Sequence, residues 1–428
     1  MLSLANKFMN IFIEKLKGKL IYYLRKTEKY IETDMVYLFH GSFWLVVGQI
    51  FSSFSSFILV IAFANLLPKE TYGIYKYVLT IVGVLCIPNL RNMNISIAQS
   101  VAQGNEGTAI EGIKTKIKWG LLGGLGAIIL GCYYFYNDNH VLGIMLMICA
   151  SFIPLKDSFG AYGSILNGKK DFRRITIYST VPTIISTLLT IIILFATHNI
   201  YYVLFFYFSF WTIINYILLK ITLKIHPLNK IVDPKSIKYG KDVSFMAIVS
   251  NVSGYFDKLL IFHYLGAGSI ASYSIAMAPI SQITSLLGGI NTLALPKFSK
   301  HTTENLKYSL KNKEKKIVIM TLTLAILYIL LAKPLFIIFL PKYLEAIFYS
   351  QLLAISIPLT LISRFRLTAI QSRFDIKNFY YYTSFTSVLQ ILLNFIGVYF
   401  YGLLGIVISD IAIAAGQCLI TGIIIKKL

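Results

Sequence analysis

Six charged side chains lie within otherwise apolar stretches of the sequence, and their types could support transport chemistry. They are three bases and three acids: Arg91, Lys156, Lys258, Asp157, Asp257 and Asp410. A charge near the middle of a membrane-spanning helix costs about 2.5–3.5 kcal/mol on insertion scales, so such residues pair with one another or line a water-filled path. The bases could attract an anionic cargo, and the acids could bind a coupling proton or sodium ion. Adjacent helical residues point about 100° apart, so we expect Asp257 and Lys258 to pair poorly with each other and to find partners on another helix or in a ligand.

Amide side chains accompany these charges within polar stripes, in which residues recur at steps of three and four, as on one helix face. They are Gln49, Asn89, Asn92, Gln99, Gln390 and Asn394. Small and polar residues also hold membrane helices together, so each stripe alone is compatible with helix packing. Several stripes together favour a polar central cavity, with these amides and the three bases as candidates for its lining.

Other chemistry is disfavoured. The run from Gly163 to Lys170 nearly matches a phosphate-binding loop, but Lys170 stands where Ser or Thr must hold magnesium, and the run ends an apolar helix. The four cysteines lie singly in apolar runs without metal-ligand spacing. We therefore expect no catalytic residues, no metal and no cofactor apart from a coupling H⁺ or Na⁺.

The composition indicates an integral membrane protein. Of 428 residues, 56% are hydrophobic and only 14% charged, and the mean hydropathy is +0.70. The net charge of +22 comes from basic residues in short clusters between apolar runs. That pattern sets membrane orientation and disfavours nucleic acid as a partner.

The hydropathy pattern predicts an all-α fold of twelve transmembrane helices, each near the roughly 20 residues that cross a bilayer. They occupy 36–66, 74–101, 117–136, 141–166, 175–197, 200–225, 243–265, 270–296, 317–340, 345–370, 380–401 and 403–425. Most lysines and arginines fall on one side, together with both termini, and the positive-inside rule assigns that side to the cytoplasm. Residues 1–35 are expected to form a basic amphipathic cytoplasmic segment, with Met35 as an alternative start. The Lys333-Pro334 pair is expected to break the ninth span.

The two halves of the sequence resemble each other. A shift of 198 positions places Leu67-Pro68 on Leu265-Gly266 and Tyr75 on Tyr273. Six helices separate equivalent points, so both copies have the same membrane orientation, as in transporters built from parallel repeats. We expect an N-lobe at 36–225, a cytoplasmic linker at 226–242 and a C-lobe at 243–428, around a central cavity.

Several short motifs carry a family resemblance. They are Leu67-Pro68, Tyr72-Gly73, Tyr75, Asn167-Gly168 with Phe172, and the run from Asp257-Lys258 through Leu265-Gly266 to Tyr273 and Ala276. They resemble the polysaccharide-transporter branch of the multidrug/oligosaccharidyl-lipid/polysaccharide exporters, and within it Wzx-type flippases for O-antigen or capsule repeat units. The resemblance covers residues 36–428.

This resemblance implies two six-helix lobes that alternate between cytoplasmic and outer access in the bacterial plasma membrane. The implied cargo is an oligosaccharide joined through pyrophosphate to undecaprenol, and the implied partners are membrane lipids, a polysaccharide polymerase and a chain-length regulator. A multidrug or other small-molecule exporter of the same superfamily is the alternative. A membrane glycosyltransferase or polymerase would need a large outer loop carrying acids, which this sequence lacks, so we expect no enzyme.

Overall fold

The computed structural model describes residues 35–197, 199–298, 303–371 and 376–427, with side chains described over 46–197, 199–288, 313–371 and 378–426. The predicted basic segment 1–35 lies outside the described residues, except for Met35 at the start of the first helix. The described chain is helical and contains no strand. Its helices are α1 (Met35–Leu66), α2 (Lys69–Leu85), α3 (Met93–Ala102), α4 (Gly107–Tyr136), α5 (His140–Ala150), α6 (Ile153–Phe159), α7 (Tyr162–Gly168), α8 (Phe172–Thr197), α9 (Ile200–Ile225), α10 (Pro234–Met246), α11 (Ile248–Phe298), α12 (Thr303–Phe339), α13 (Ala346–Ala354), α14 (Ser356–Gln371) and α15 (Ile376–Lys427).

Two predicted spans are bent near their middle. The helices Lys69–Leu85 and Ile87–Ala102 meet at 45°, and His140–Ala150 and Ile153–Gly168 meet at 44°. Pro88 and Pro154 each lie in the first turn after the bend, where a residue without an N–H fits the start of a helix. The bends place Arg91 and Lys156 just beyond them, on main chain that leaves the line of the preceding helix.

Two long helices are broken at glycines. Gly266 in α11 has φ 81° and Gly402 in α15 has φ 58°, a left-handed conformation that glycine adopts without a Cβ clash. Both breaks lie at predicted span boundaries. Within the described residues, eight helices are long and apolar enough to cross a membrane, or up to ten if each bent pair is one span. Counting each broken helix as two would give twelve, which stays a prediction.

Three features of the helices differ from the sequence prediction. The third span starts ten residues earlier, at Gly107, because the helix also includes the preceding turns that carry Glu111, Lys114 and Lys116. The predicted break at Lys333-Pro334 is wrong, because α12 continues through Pro334 to Phe339. Membrane helices tolerate proline where neighbouring groups satisfy the freed carbonyl. The predicted linker contains an additional helix, α10, which packs on α3.

The two halves of the bundle meet mainly where α11 packs along α2. A Cβ on Gly73 would lie 1.8 Å from the main-chain oxygen of Ala267, so only glycine permits this approach. The Tyr77 and Phe262 rings stack at 3.5 Å between centroids. Elsewhere Gln49 of α1 donates a 2.7 Å hydrogen bond to Ser285 of α11. These contacts leave a polar space deeper in the bundle.

Candidate functional site

A cavity of about 470 Å³ lies between the first half of the bundle and α11, beside the two bends. Its charged lining consists of Arg91, Lys116, Lys156 and Asp157, three bases and one acid. Neutral polar and aromatic groups complete the polar lining: Asn94, Asn215, Asn251, Tyr207 and Tyr255. Asn251 and Tyr255 come from α11, so both halves contribute to the wall.

The Lys116 ammonium is held inside the protein. The residue is only 1% exposed and lies on the face of α4 that also carries Gly112 and Gly120, one turn to either side. It donates to Asn94 Oδ1 at 2.7 Å and to the main-chain oxygen of Asp157 at 3.1 Å. Lys116 therefore joins the bent second span to the bent fourth span at the cavity wall.

Lys156 is positioned by α9. Asn215 donates to the main-chain oxygen of Lys156 at 3.0 Å. The Lys156 ammonium lies 5.4 Å from the ring centroid of Tyr207 and 5.0 Å from that of Phe208, within cation–π range. Arg91 follows Leu90, whose φ of 52° turns the chain out of the bend. The Arg91 side chain is exposed and lines the cavity.

The three bases lack carboxylate partners. Among the described residues, none of them lies within 4 Å of an Asp or Glu oxygen. Their neighbours are amide and carbonyl oxygens and aromatic rings, which stabilise an ammonium without neutralising it. Positive charges held close together in this way favour a multivalent anion, because each adds a charge-assisted contact.

A second charged cluster lies in the other half of the bundle. Lys258 Nζ is 3.0 Å from Asp257 Oδ2. The hydroxyl of the fully buried Tyr273 lies 2.9 Å from Asp257 Oδ2 and 2.6 Å from Asp410 Oδ2. The expectation that Asp257 and Lys258 pair poorly with each other is wrong, because the long lysine side chain turns back across the 100° between neighbouring positions.

One hydroxyl lies between two carboxylates in this cluster. A tyrosine hydroxyl donates one hydrogen bond, and a second bond requires it to accept one. Both contacts of Tyr273 are therefore hydrogen bonds only when one of the two carboxyl groups carries a proton. With that proton bound, the remaining carboxylate and Lys258 form a neutral set.

The amides predicted as cavity lining lie elsewhere. Asn89 is fully buried and donates to the main-chain oxygen of Ile153 at 2.7 Å, and Asn92 donates to that of Val243 at 3.4 Å. Gln99 lines a neighbouring pocket that shares Asn94 and Gly160 with the basic cavity. Gln49 bonds to Ser285, as above.

The two remaining amides belong to α15. Gln390 is partly buried there. Asn394 is fully buried, and neither of its side-chain polar atoms has a partner in the described part of the chain.

The structure thus brings together three sequence-predicted residues in the basic cavity and three in the second cluster. The first set is Arg91, Lys156 and Asp157, and the second is Asp257, Lys258 and Asp410. Sequence reasoning missed Lys116 because it was assigned to the connector before the third span. The available signal was the spacing of Gly112, Lys116 and Gly120, which marks a buried helix face.

Polar contacts join the halves at the end of the bundle that holds residues 67–68. Lys69 forms an ion pair with Glu345, and Ser272 donates to the same carboxylate oxygen at 2.9 Å. The hydrogen bond and charge of Lys69 hold the pKa of Glu345 below its usual value. Lys342 donates to the main-chain oxygen of Asn65 at 2.6 Å. These contacts hold the two halves together at this end of the bundle, which we call the closed end.

The connector between the halves is fixed to the first half at the opposite end. The main-chain N–H of Asn229 donates to Glu106 Oε2 at 2.9 Å, and that of Glu106 donates to Asn229 Oδ1 at 3.2 Å. Lys169 forms an ion pair with Glu106. These bonds hold the pKa of Glu106 below its usual value. The Trp119 and Phe245 rings meet edge to face at 5.3 Å, so α10 is also held.

Solved transporter structures share this fold. The lipid II flippase MurJ in an inward closed conformation matches with a TM-score of 0.71 and 16% identity, over 90% of this chain and 87% of that one. An inward-facing multidrug resistance MATE family transporter of the MOP superfamily matches with a TM-score of 0.67 and 14% identity, over 89% of this chain and 95% of that one. A MOP superfamily transporter from Pyrococcus furiosus matches with a TM-score of 0.60 and 14% identity, over 91% of this chain and 95% of that one. No curated protein sequence matches the chain.

A family model identifies the chain more directly. The model described as polysaccharide biosynthesis protein matches residues 38–302, which is more than half of the sequence and includes the whole lining of the basic cavity. This match shows that the chain belongs to the polysaccharide biosynthesis protein family.

Proposed function

We propose that this protein is a flippase that moves undecaprenyl-pyrophosphate-linked oligosaccharides across the bacterial plasma membrane for O-antigen, capsule or exopolysaccharide synthesis. The basic cavity between the two halves carries the proposal. Arg91, Lys116 and Lys156 converge there without carboxylate partners, as a pyrophosphate would require. Asn94, Asn215, Asn251 and Tyr255 offer donors and acceptors to the sugar.

The charge of the cavity also separates this proposal from its nearest rival. An exporter of cationic drugs needs acidic groups in its binding site, whereas Asp157 is the only carboxylate that the described residues bring to this lining. A cation entering the cavity would meet three bases against one carboxylate, a net positive charge, and like charges close together repel by several kcal/mol in a protein interior. The lining therefore favours an anionic cargo.

The contacts between the halves support movement by alternating access. In this proposal the closed end, with Lys69 and Glu345, faces outward, and the end with residues 226–233 faces the cytoplasm. The positive-inside distribution of lysines and arginines supports that orientation. It also supports cytoplasmic termini. Flipping would require the Lys69–Glu345 and Lys342–Asn65 contacts to open while the cytoplasmic end closes.

Coupling to a proton fits the second cluster. Binding of one proton between Asp257 and Asp410 permits both hydrogen bonds of Tyr273, and its loss leaves two carboxylates facing one hydroxyl. The two protonation states therefore favour different helix positions, as coupled transport requires. We accordingly assign the coupling step to a proton rather than to a sodium ion. Membrane lipids, a polymerase and a chain-length regulator are the partners proposed for the same pathway.

Deleting the gene tests the proposal. We expect surface polysaccharide to be lost and lipid-linked repeat units to accumulate in the cytoplasmic leaflet, with both restored by the wild-type gene. Lys156→Gln should fail to restore them, whereas Lys220→Gln should succeed, because Lys220 also lies over a tyrosine ring, that of Tyr216, but outside the cavity. Normal surface polysaccharide together with raised drug sensitivity would instead favour the small-molecule exporter.

A further inference from the structure

A second cavity, of about 550 Å³, lies between α8 and α9. Its size is within the range of ligand pockets. Phenylalanine, leucine and isoleucine side chains dominate its lining, and Phe205, Phe206 and Ile213 remain 45%, 48% and 58% exposed. Thr190 directs its hydroxyl to the main-chain oxygen of Ser186 at 2.7 Å, so it offers no free donor. This cavity, which we call the groove, is suited to a hydrocarbon chain.

The groove and the basic cavity adjoin at one residue. Tyr207 lines both spaces, and the ammonium of Lys156 lies 5.4 Å from its ring centroid. One ring therefore separates a base of the cavity from an apolar surface. In a polyprenyl pyrophosphate the first isoprene unit is bonded directly to the phosphate, so binding sites for the two parts must adjoin.

The contact between the halves offers a hydrocarbon less room. Gly73 touches the main chain of Ala267, and the Tyr77 ring stacks on Phe262 at 3.5 Å. On the α1 side, Gln49 is bonded to Ser285. A chain entering along either seam would have to break these contacts, whereas the groove between α8 and α9 is already open.

We propose that the groove between α8 and α9 binds the isoprenoid chain of the cargo while Arg91, Lys116 and Lys156 hold its pyrophosphate. This inference rests on the proposed function. The lipid chain would thus pass through the N-terminal half of the bundle and not between the two halves. The groove residues Ser186 to Ile193 lie in the C-terminal half of α8, nearer the closed end. The chain would therefore extend towards the outer leaflet from a headgroup held deeper in the protein.

Binding to purified protein in nanodiscs tests the groove with two probes. Undecaprenyl pyrophosphate carries the full chain, and isopentenyl pyrophosphate carries the same pyrophosphate with one isoprene unit. Ile213→Trp should fill the groove and weaken binding of the long probe about tenfold, as expected when about two methylene groups lose their contacts, and leave the short probe unaffected. Ile192→Trp is the matched control, because Ile192 is 61% exposed on α8 but does not line the groove.

The outcomes separate the two proposals. Unchanged binding of the long probe by Ile213→Trp would overturn the groove and leave the flippase proposal standing. Failure of the wild-type protein to bind either probe would overturn both. A photoactivatable undecaprenyl pyrophosphate gives a second measurement that needs no variant: we expect adducts on α8 and α9. Adducts confined to α2 and α11 would overturn the proposal that the groove binds the isoprenoid chain. Equal labelling of the wild-type groove by a photoactivatable phosphatidylglycerol would overturn it as well.

Discussion

Replacing Lys116 by Met tests the basic cavity most sharply, because the substitution nearly keeps the length of the side chain while it removes the charge and the hydrogen-bond donors. The ammonium is 1% exposed and donates to Asn94 Oδ1 and to the main-chain oxygen of Asp157. An anion about 6 Å away gains about 3 kcal/mol from one unit charge at an effective dielectric constant of about 20. We expect Lys116→Met to weaken binding of undecaprenyl pyrophosphate roughly a hundredfold.

The cost to folding should be smaller. Each hydrogen bond from a charged donor contributes about 1.5–3 kcal/mol when its partners stay buried, but Asn94 lines the cavity, where water can replace the lost donor. Thermal unfolding of the variant in the same nanodiscs separates the two effects. Lys118→Met is the control, since Lys118 is exposed on α4 and lies outside the lining. If Lys116→Met bound the lipid as tightly as the wild type and only its unfolding temperature fell, Lys116 would be a structural link between the second and fourth spans. The anion site would then need other residues.

Three further changes probe the rest of the molecule. Tyr273→Phe removes the hydroxyl that Asp257 and Asp410 share, so the pH dependence of lipid flipping in proteoliposomes should shift while membrane insertion is retained. An identical pH dependence would show that this cluster takes no part in proton coupling. Glu345→Gln breaks the exposed ion pair with Lys69, which is worth up to about 1 kcal/mol. We therefore expect a cysteine introduced by Tyr255→Cys to react with an external thiol reagent up to about fivefold faster. An unchanged labelling rate would show that the ion pair does not hold this end closed. Glu106→Gln should lower the unfolding free energy by about 1 kcal/mol at neutral pH. Folding lowers the pKa of Glu106, so the difference in unfolding free energy between wild type and variant should disappear as the pH falls below 4.5, the ordinary pKa of glutamate, and through the lowered pKa of the folded protein. Equal stability of the two proteins at neutral pH would contradict the role of Glu106 in fixing the connector.

The position of the connector bears on how the halves could move. Because residues 226–246 are fixed to the first half through Glu106 and through the packing of Phe245 on Trp119, little bending is available within them. The next break in the helices falls at Ala247, between α10 and α11. Relative rotation of the halves would therefore pivot close to Ala247, at the base of the helix that carries Asn251 and Tyr255 into the cavity.

Local properties of the sequence determined much of the architecture. Runs of apolar residues fix which segments enter a bilayer, since each residue contributes to insertion nearly independently of its tertiary neighbours. The glycines at 266 and 402 end helices for an equally local reason, the left-handed backbone that they adopt. Arg91, Lys156 and Asp157 were recognisable for the same reason, because a charge in an apolar run is costly wherever the helix packs.

Only the tertiary structure decided which of these groups meet. The bends beside Pro88 and Pro154 turn Arg91 and Lys156 towards a common space, and the early start of α4 places Lys116 between them. Three of the predicted amides, Gln49, Asn89 and Asn92, instead bond helices together, because a helical stripe shows which residues share a face but not what that face contacts. The rotation of each helix and the angle of each bend depend on packing between segments far apart in the chain. The membrane-spanning segments were therefore readable from the sequence, while the composition of the cavity was set by how those segments pack.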